Sequence, residues 1–142
     1  MSYWVVDANI AVQSALNISD GLERFWERIN DEQITPCSPR LWMSETTSAV
    51  RSLLAQKQIT AAEAEQALQT MHALKVEIIN EDELLCLHAL ALAAKLGQSK
   101  AYDAFYLALA ERLETEFWTM DERLANRCKD LKLGWVHWVG EM

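Results

Sequence analysis

Tyr3-Trp4-Val5-Val6-Asp7 is the stretch on which the fold turns. Four strand-favouring, mostly apolar residues run straight into a carboxylate, and a helix-compatible run from Ala8 to Ala15 follows. This is the pattern of a buried first strand in an α/β sheet that delivers an acid at its carboxyl end, where such sheets bind ligands. A strand-end aspartate also serves as a helix cap. The functional question is whether other carboxylates converge on Asp7.

The same pattern recurs near the other end. Glu116-Phe117-Trp118-Thr119-Met120-Asp121 is a short apolar strand leading to a hydroxyl and a carboxylate, with a helix expected to about Lys132. Between the two lie further expected strands at Gln33–Cys37 and Lys75–Ile79, and Trp135–Val139 reads as the last. Pro36 suggests the end of a strand or an edge position, and Pro39 suits the first turn of the next helix. Helices are expected from Leu22 to about Asn30, from Pro39 to Gln56, from Thr60 to about His72 and from the Asn80–Glu83 turn to Leu96. Their boundaries are marked by capping pairs at Asp20 with Glu23 and at Thr60 with Glu63, by Glu81, Asp82 and Glu83 in a first turn, and by Gly97 as a stop. Strands alternating with helices predict an α/β domain with a mainly parallel sheet flanked by helices, spanning residues 1–142 as one domain.

Composition narrows the function. With 13 Lys+Arg against 21 Asp+Glu the chain carries −8, which argues against a basic nucleic-acid coat. A nucleic acid held through bound metal, or a basic protein partner, remains compatible with that charge. Cys37, Cys86 and Cys128 are far apart and lack a CxxC pair, so buried free thiols are expected. No apolar run is long enough to span a membrane, and Asp7 interrupts the N-terminal one, so a soluble cytoplasmic protein is expected. The six tryptophans (Trp4, Trp26, Trp42, Trp118, Trp135, Trp138) read as core packing. His72, His88 and His137 form no spaced set with the cysteines and read as structural. Phosphate-loop and dinucleotide fingerprints are absent.

Two more acids stand out. Asp103 is the only charged residue from Ala101 to Ala110, on a helix apolar nearly all round. An ionised group there is costly unless it is paired, capping or bound to a cation. Glu45 borders the apolar stripe formed by Trp42, Ala49, Val50 and Leu53, where a solvated rim residue is the commoner occupant. Asp7, Glu45, Asp103 and Asp121 could share a cleft at the sheet's carboxyl edge, and oxygen ligands suit a hard divalent cation.

The order of Val5-Val6-Asp7-Ala8-Asn9, Ser44-Glu45, Tyr102-Asp103-Ala104-Phe105-Tyr106-Leu107-Ala108 and Thr119-Met120-Asp121 resembles the PIN-domain nucleases, especially the VapC-type toxins. The Tyr-Asp-Ala run followed by Thr-x-Asp is its most discriminating part. The resemblance implies a metal-dependent endoribonuclease with a compact three-layer α/β/α fold around a central, mainly parallel sheet. Asp7 and Asp103 would be the main Mg²⁺ or Mn²⁺ ligands, with Glu45 and Asp121 completing the site directly or through water. Asn9 and Thr119 would orient the acids. A cognate antitoxin and a homodimer are also implied. Arg40, Lys100, Arg123 and Arg127 lie near these segments and are candidates for RNA phosphate contacts. The competing readings are a catalytically silent PIN-like interaction module and a phosphatase or aspartyl-phosphate receiver; Asn9, where a phosphatase would carry a second Asp, weakens the latter.

Overall fold

A computed structural model describes residues 2–19 and 21–142. Five strands, β1 (Ser2–Val6), β2 (Ile34–Pro39), β3 (Glu77–Ile79), β4 (Glu116–Thr119) and β5 (Val136–Trp138), form one sheet in the order β3-β2-β1-β4-β5. Every pairing is parallel. The connections are helical: α1 (Ala8–Leu16) and α2 (Leu22–Asp31), α3 (Leu41–Ala55) and α4 (Ala61–Ala73), α5 (Glu83–Leu96) and α6 (Tyr102–Arg112), then α7 (Glu122–Asp130).

The chain walks outward from β1 to β2 and β3. It then returns through α5 and α6 to lay β4 against the free side of β1. The strand order therefore reverses at β1, and the carboxyl ends of β1 and β4 flank the crevice where open α/β sheets take ligands.

Alternation along the strands sorts side chains onto two faces. Val5, Cys37 and Phe117 join the larger core with α6 and residues of α1, α3, α4 and α5. Trp4, Val6, Ile34 and Trp118 face the other way and pack against Leu22, Phe25 and Ile29 of α2. Helices on both faces make the three-layer α/β/α arrangement that the resemblance implies. Of the tryptophans, Trp4, Trp42 and Trp118 are buried and Trp26, Trp135 and Trp138 half-buried. Apolar on nearly every side, α6 packs against β1, β2 and β4, with Tyr106 to Ala110 all buried.

Several local expectations need correction. Pro36 is not at a strand end or on an edge strand: it pairs with Trp4 inside β2, which has neighbours on both sides. The missing N–H is tolerated because β3 begins at Glu77, opposite Cys37, so Pro36 has no ladder partner on that flank. Pro39 is the last residue of β2, paired with Ile79, and the helix starts only at Leu41. The α3 N-terminus is capped from a distance, by the Glu81 carboxylate accepting from the Leu41 N–H at 3.2 Å. Glu81 thus lies outside the α5 first turn. Asp82 is the α5 cap, accepting from the Leu85 N–H at 2.8 Å and bonding Arg112 at 2.7 Å. Cys86 is exposed rather than buried, while Cys37 and Cys128 are buried free thiols.

The Thr60–Glu63 capping box forms as read, and Gly97 ends α5 with φ of 68°. The Asp20–Glu23 pair falls outside the described residues because of Asp20; Gly21 precedes α2 with no side-chain cap. His88 and His137 pair with Glu111 at 3.2 Å and Glu116 at 3.1 Å, consistent with structural roles. No helix among the described residues is long and apolar enough to cross a membrane.

Candidate active site

Asp7 follows β1 directly and opens α1, yet its carboxylate makes no cap hydrogen bond there. It is 8% exposed. Its backbone N–H bonds the Trp118 carbonyl at 3.1 Å, tying the end of β1 to β4. The fully buried Ser38 hydroxyl donates to the Val6 carbonyl at 2.6 Å and fixes the other flank. The Asp7 carboxylate is thus held in a rigid strand-end frame rather than spent on the helix.

Thr119 links two of the acids. Its fully buried hydroxyl donates to Asp7 Oδ2 at 2.7 Å and accepts from the Asp121 N–H at 3.0 Å. Asp121 is exposed and caps α7, accepting from the Leu124 N–H at 3.1 Å. The capping role is therefore real for Asp121, and its second oxygen is not needed for it.

From the opposite side, α6 brings Asp103 in its first turn and Tyr106 one turn later. The Tyr106 hydroxyl donates to Glu45 Oε1 on α3 at 2.7 Å, across 61 positions of sequence. Gln98 Nε2, in the loop before α6, donates to Asp103 Oδ2 at 3.0 Å. Glu45, Gln98, Ser99, Lys100, Tyr102 and Asp103 line an open cleft of about 430 Å³. A larger hollow of about 680 Å³ between α1 and α2 contains none of the four acids.

Electrostatics report the convergence. Burial pushes Asp7 up to about 7; the Thr119 hydrogen bond opposes this, and the charges of Asp103 and Glu45 add to it. Glu45 is raised by burial, against the Tyr106 hydrogen bond, with Asp103 adding to the rise. Asp103 is raised by burial, against the Gln98 hydrogen bond, with Asp121 adding to the rise. Asp7, Glu45 and Asp103 thus each feel at least one other acid, and among the described residues none of the four acids is paired with Lys or Arg. Uncompensated like charges of this kind favour either protonation or a cation.

The donors present fit a hard, hydrated cation. They are oxygens only, and the buried Gln98 Oε1 beside Asp103 has no hydrogen-bond partner among the described residues. Among the described residues, no three His, Cys, Asp or Glu side chains stand close enough to cage an ion outright.

The sequence-predicted residues separate here. Asp7, Glu45, Asp103, Asp121 and Thr119 come together, and Lys100 stands at the rim. Asn9 is exposed on α1 and makes no side-chain hydrogen bond among the described residues. Arg40 and Arg123 are exposed and contact no acid of the cluster, while Arg127 donates to the Leu96 carbonyl at the end of α5. Tyr106 and Gln98 were not singled out by sequence. Tyr106 carried a signal, standing three residues after Asp103 on the same helix face.

The sequence profile of the PIN domain matches residues 4–130. The chain belongs to the PIN-domain family. Solved structures share this PIN fold. PAE2754 from Pyrobaculum aerophilum aligns with a TM-score of 0.68 at 21% identity, over 99% of this chain and 92% of that one. VapBC2 from Rickettsia felis, bound to a DNA fragment from their promoter, aligns at 0.64 and 14% identity over 96% and 98%. The toxin–antitoxin complex from Klebsiella pneumoniae aligns at 0.60 and 18% over 82% and 85%. No curated protein matches by sequence. At these identities the structural likeness concerns the PIN fold alone.

Proposed function

We propose that this PIN-domain protein is a Mg²⁺- or Mn²⁺-dependent endoribonuclease and the toxin of a toxin–antitoxin pair. The observation that carries the reading is that Asp7, Glu45 and Asp103 lie within electrostatic reach of one another near the sheet's switch point, with Thr119 bridging Asp7 to the Asp121 N–H and no ion pair from Lys or Arg to these acids among the described residues. A bound divalent ion would supply charge neutralisation, polarisation of the phosphoryl oxygens and acidification of a bound water. Asp7 and Asp103, on β1's end and α6, are assigned as its main holders, with Glu45 and Asp121 completing the site directly or through water.

The chain's own groups then divide the work of hydrolysis, in which water adds to phosphorus and one P–O bond breaks. Thr119 keeps Asp7 ionisable by donating to it, since an unsupported acid at that depth would retain its proton. Glu45 and Asp121 orient the attacking water from the two sides of the cleft. Lys100 at the rim offers a phosphate contact on an otherwise acidic molecule. Arg40, Arg123 and Arg127 extend the RNA path less directly, and Arg127's bond to Leu96 gives it a structural duty as well.

The −8 charge favours a basic partner segment over bare RNA. An antitoxin placing such a segment over the cleft would neutralise the acids and exclude substrate. A toxin–antitoxin complex is the subject of the K. pneumoniae structure that shares this fold. We also assign the protein to the cytoplasm and to a homodimer. The deciding experiment is cleavage of a structured RNA by purified protein with Mg²⁺ or Mn²⁺. Activity abolished by Asp7→Asn and by Asp103→Asn in folded variants supports the reading. Metal-independent cleavage, or full activity in both variants, overturns it. Ion binding without turnover leaves the interaction-module reading.

A further inference from the structure

We infer that Tyr106 and Gln98 are positioning residues that each occupy one oxygen of a site carboxylate, and so set the site's preference for a small octahedral ion over calcium. The inference rests on the metal reading above and names the residues that would tune it.

The geometry is specific. Tyr106 donates to Glu45 Oε1 at 2.7 Å, and Gln98 donates to Asp103 Oδ2 at 3.0 Å. Glu45 Oε2 and Asp103 Oδ1 accept no hydrogen bond from the described residues, so each acid keeps one oxygen for a ligand. Both donors are themselves fixed. Tyr106 is 1% exposed, and its ring packs on Phe117 with centroids 5.8 Å apart. Gln98 is pinned through its backbone: its N–H bonds the Ala93 carbonyl at 3.1 Å in the turn that closes α5 after Gly97. A helix-ending glycine thereby aims an amide at the acid that opens the next helix.

The consequence follows from ion chemistry. Ca²⁺ takes 6–8 oxygens and often both oxygens of a carboxylate, whereas Mg²⁺ holds strict octahedral geometry with few carboxylates and retained waters. A carboxylate with one oxygen already hydrogen-bonded by the protein is offered through a single oxygen, which suits the second pattern and penalises the first. Partners that orient ligand carboxylates in this way are typically worth about 10–100-fold in metal affinity.

The test is calorimetric titration of the full chain with Mn²⁺ and, separately, with Ca²⁺, for wild type, Tyr106→Phe and Gln98→Met, each checked for folding by ion-free thermal melting. Wild type is expected to bind Mn²⁺ more tightly. Each variant should lower the ratio of Mn²⁺ to Ca²⁺ affinity by about 10-fold or more, with Ca²⁺ affinity held or raised. Folded variants that leave the ratio unchanged overturn the inference, whether both affinities stay constant or fall together. Should Tyr106→Phe fail to fold, Gln98→Met decides. A wild type that binds neither ion overturns the metal reading itself, whereas a binding wild type with unaltered ratios in the variants overturns only the roles of Tyr106 and Gln98.

Discussion

The ends of β1 and β4 look alike in sequence and behave differently in the fold. Each strand runs through apolar residues to an aspartate that opens a helix. At β4 the acid is exposed and spends one oxygen on the Leu124 N–H, as a cap. At β1 the acid is buried, leaves its helix uncapped and receives the Thr119 hydroxyl instead. Capping and ligand binding compete for the same carboxylate oxygens. Burial separates the two: Asp7 follows the central strand directly and is buried, whereas Asp121 stands two residues beyond β4 and is exposed.

Removing the charge at each end should break the comparison most visibly. Asp7→Asn is expected to lower RNA cleavage by at least about 10³-fold, the scale of a lost metal-site carboxylate. The same substitution should raise ion-free stability at neutral pH, because it deletes a buried charge while an amide oxygen can still accept from Thr119. Asp121→Asn should retain the cap and lower cleavage less, whereas Asp121→Ala should in addition cost about 1 kcal/mol in chemical denaturation.

The pH dependence of ion-free stability carries the same contrast. Asp7 lies near 7 in the fold, against an ordinary value of 3.8, so the folded state holds a proton that the unfolded chain releases. The stability this contributes is fully present below about pH 4 and is lost as pH rises through about 7. The shift corresponds to an order of 4 kcal/mol at most. Denaturant melts of the wild type should weaken across that window, and those of Asp7→Asn should be flatter.

Thr119→Val should produce the next effect. It removes the donor to Asp7 and the acceptor for the Asp121 N–H with little change in shape, at about 1–3 kcal/mol. Since that hydroxyl lowers the Asp7 pKa, its loss should move the onset of Mn²⁺ binding to higher pH. The smallest effect is expected from Lys100→Ala: weaker RNA binding, with the salt dependence of binding reduced by about one charge.

The strands, their order of appearance and the four acids were legible because their signals are local. Val5-Val6-Asp7 and Phe117 to Asp121 show a strand and its terminus within a few residues, and Asp103 is conspicuous as the lone charge on an apolar helix. What was not legible depends on distant chain segments meeting. Pro36 and Pro39 pointed away from an inner strand because the shortness of β3, which accommodates Pro36, cannot be read from β2. Glu81 looked like a first-turn acid because its real partner, the Leu41 N–H, lies 40 residues away. Apart from the spacing of Tyr106 from Asp103, Tyr106 and Gln98 carry no local mark of a site role, since only the folded chain puts them beside Glu45 and Asp103. The acids stand out locally in the sequence, whereas the side chains hydrogen-bonded to Glu45 and Asp103 do not.

The central claim is that Asp7, rather than being a helix cap, belongs with Asp103 to a cation site at the β1–β4 crevice. Anomalous diffraction from crystals soaked in Mn²⁺ tests it most directly. The account predicts a peak within coordination distance of a carboxylate oxygen from each of Asp7 and Asp103, lost in crystals of Asp7→Asn. A peak lying elsewhere, or a site that persists unchanged in Asp7→Asn, would contradict it.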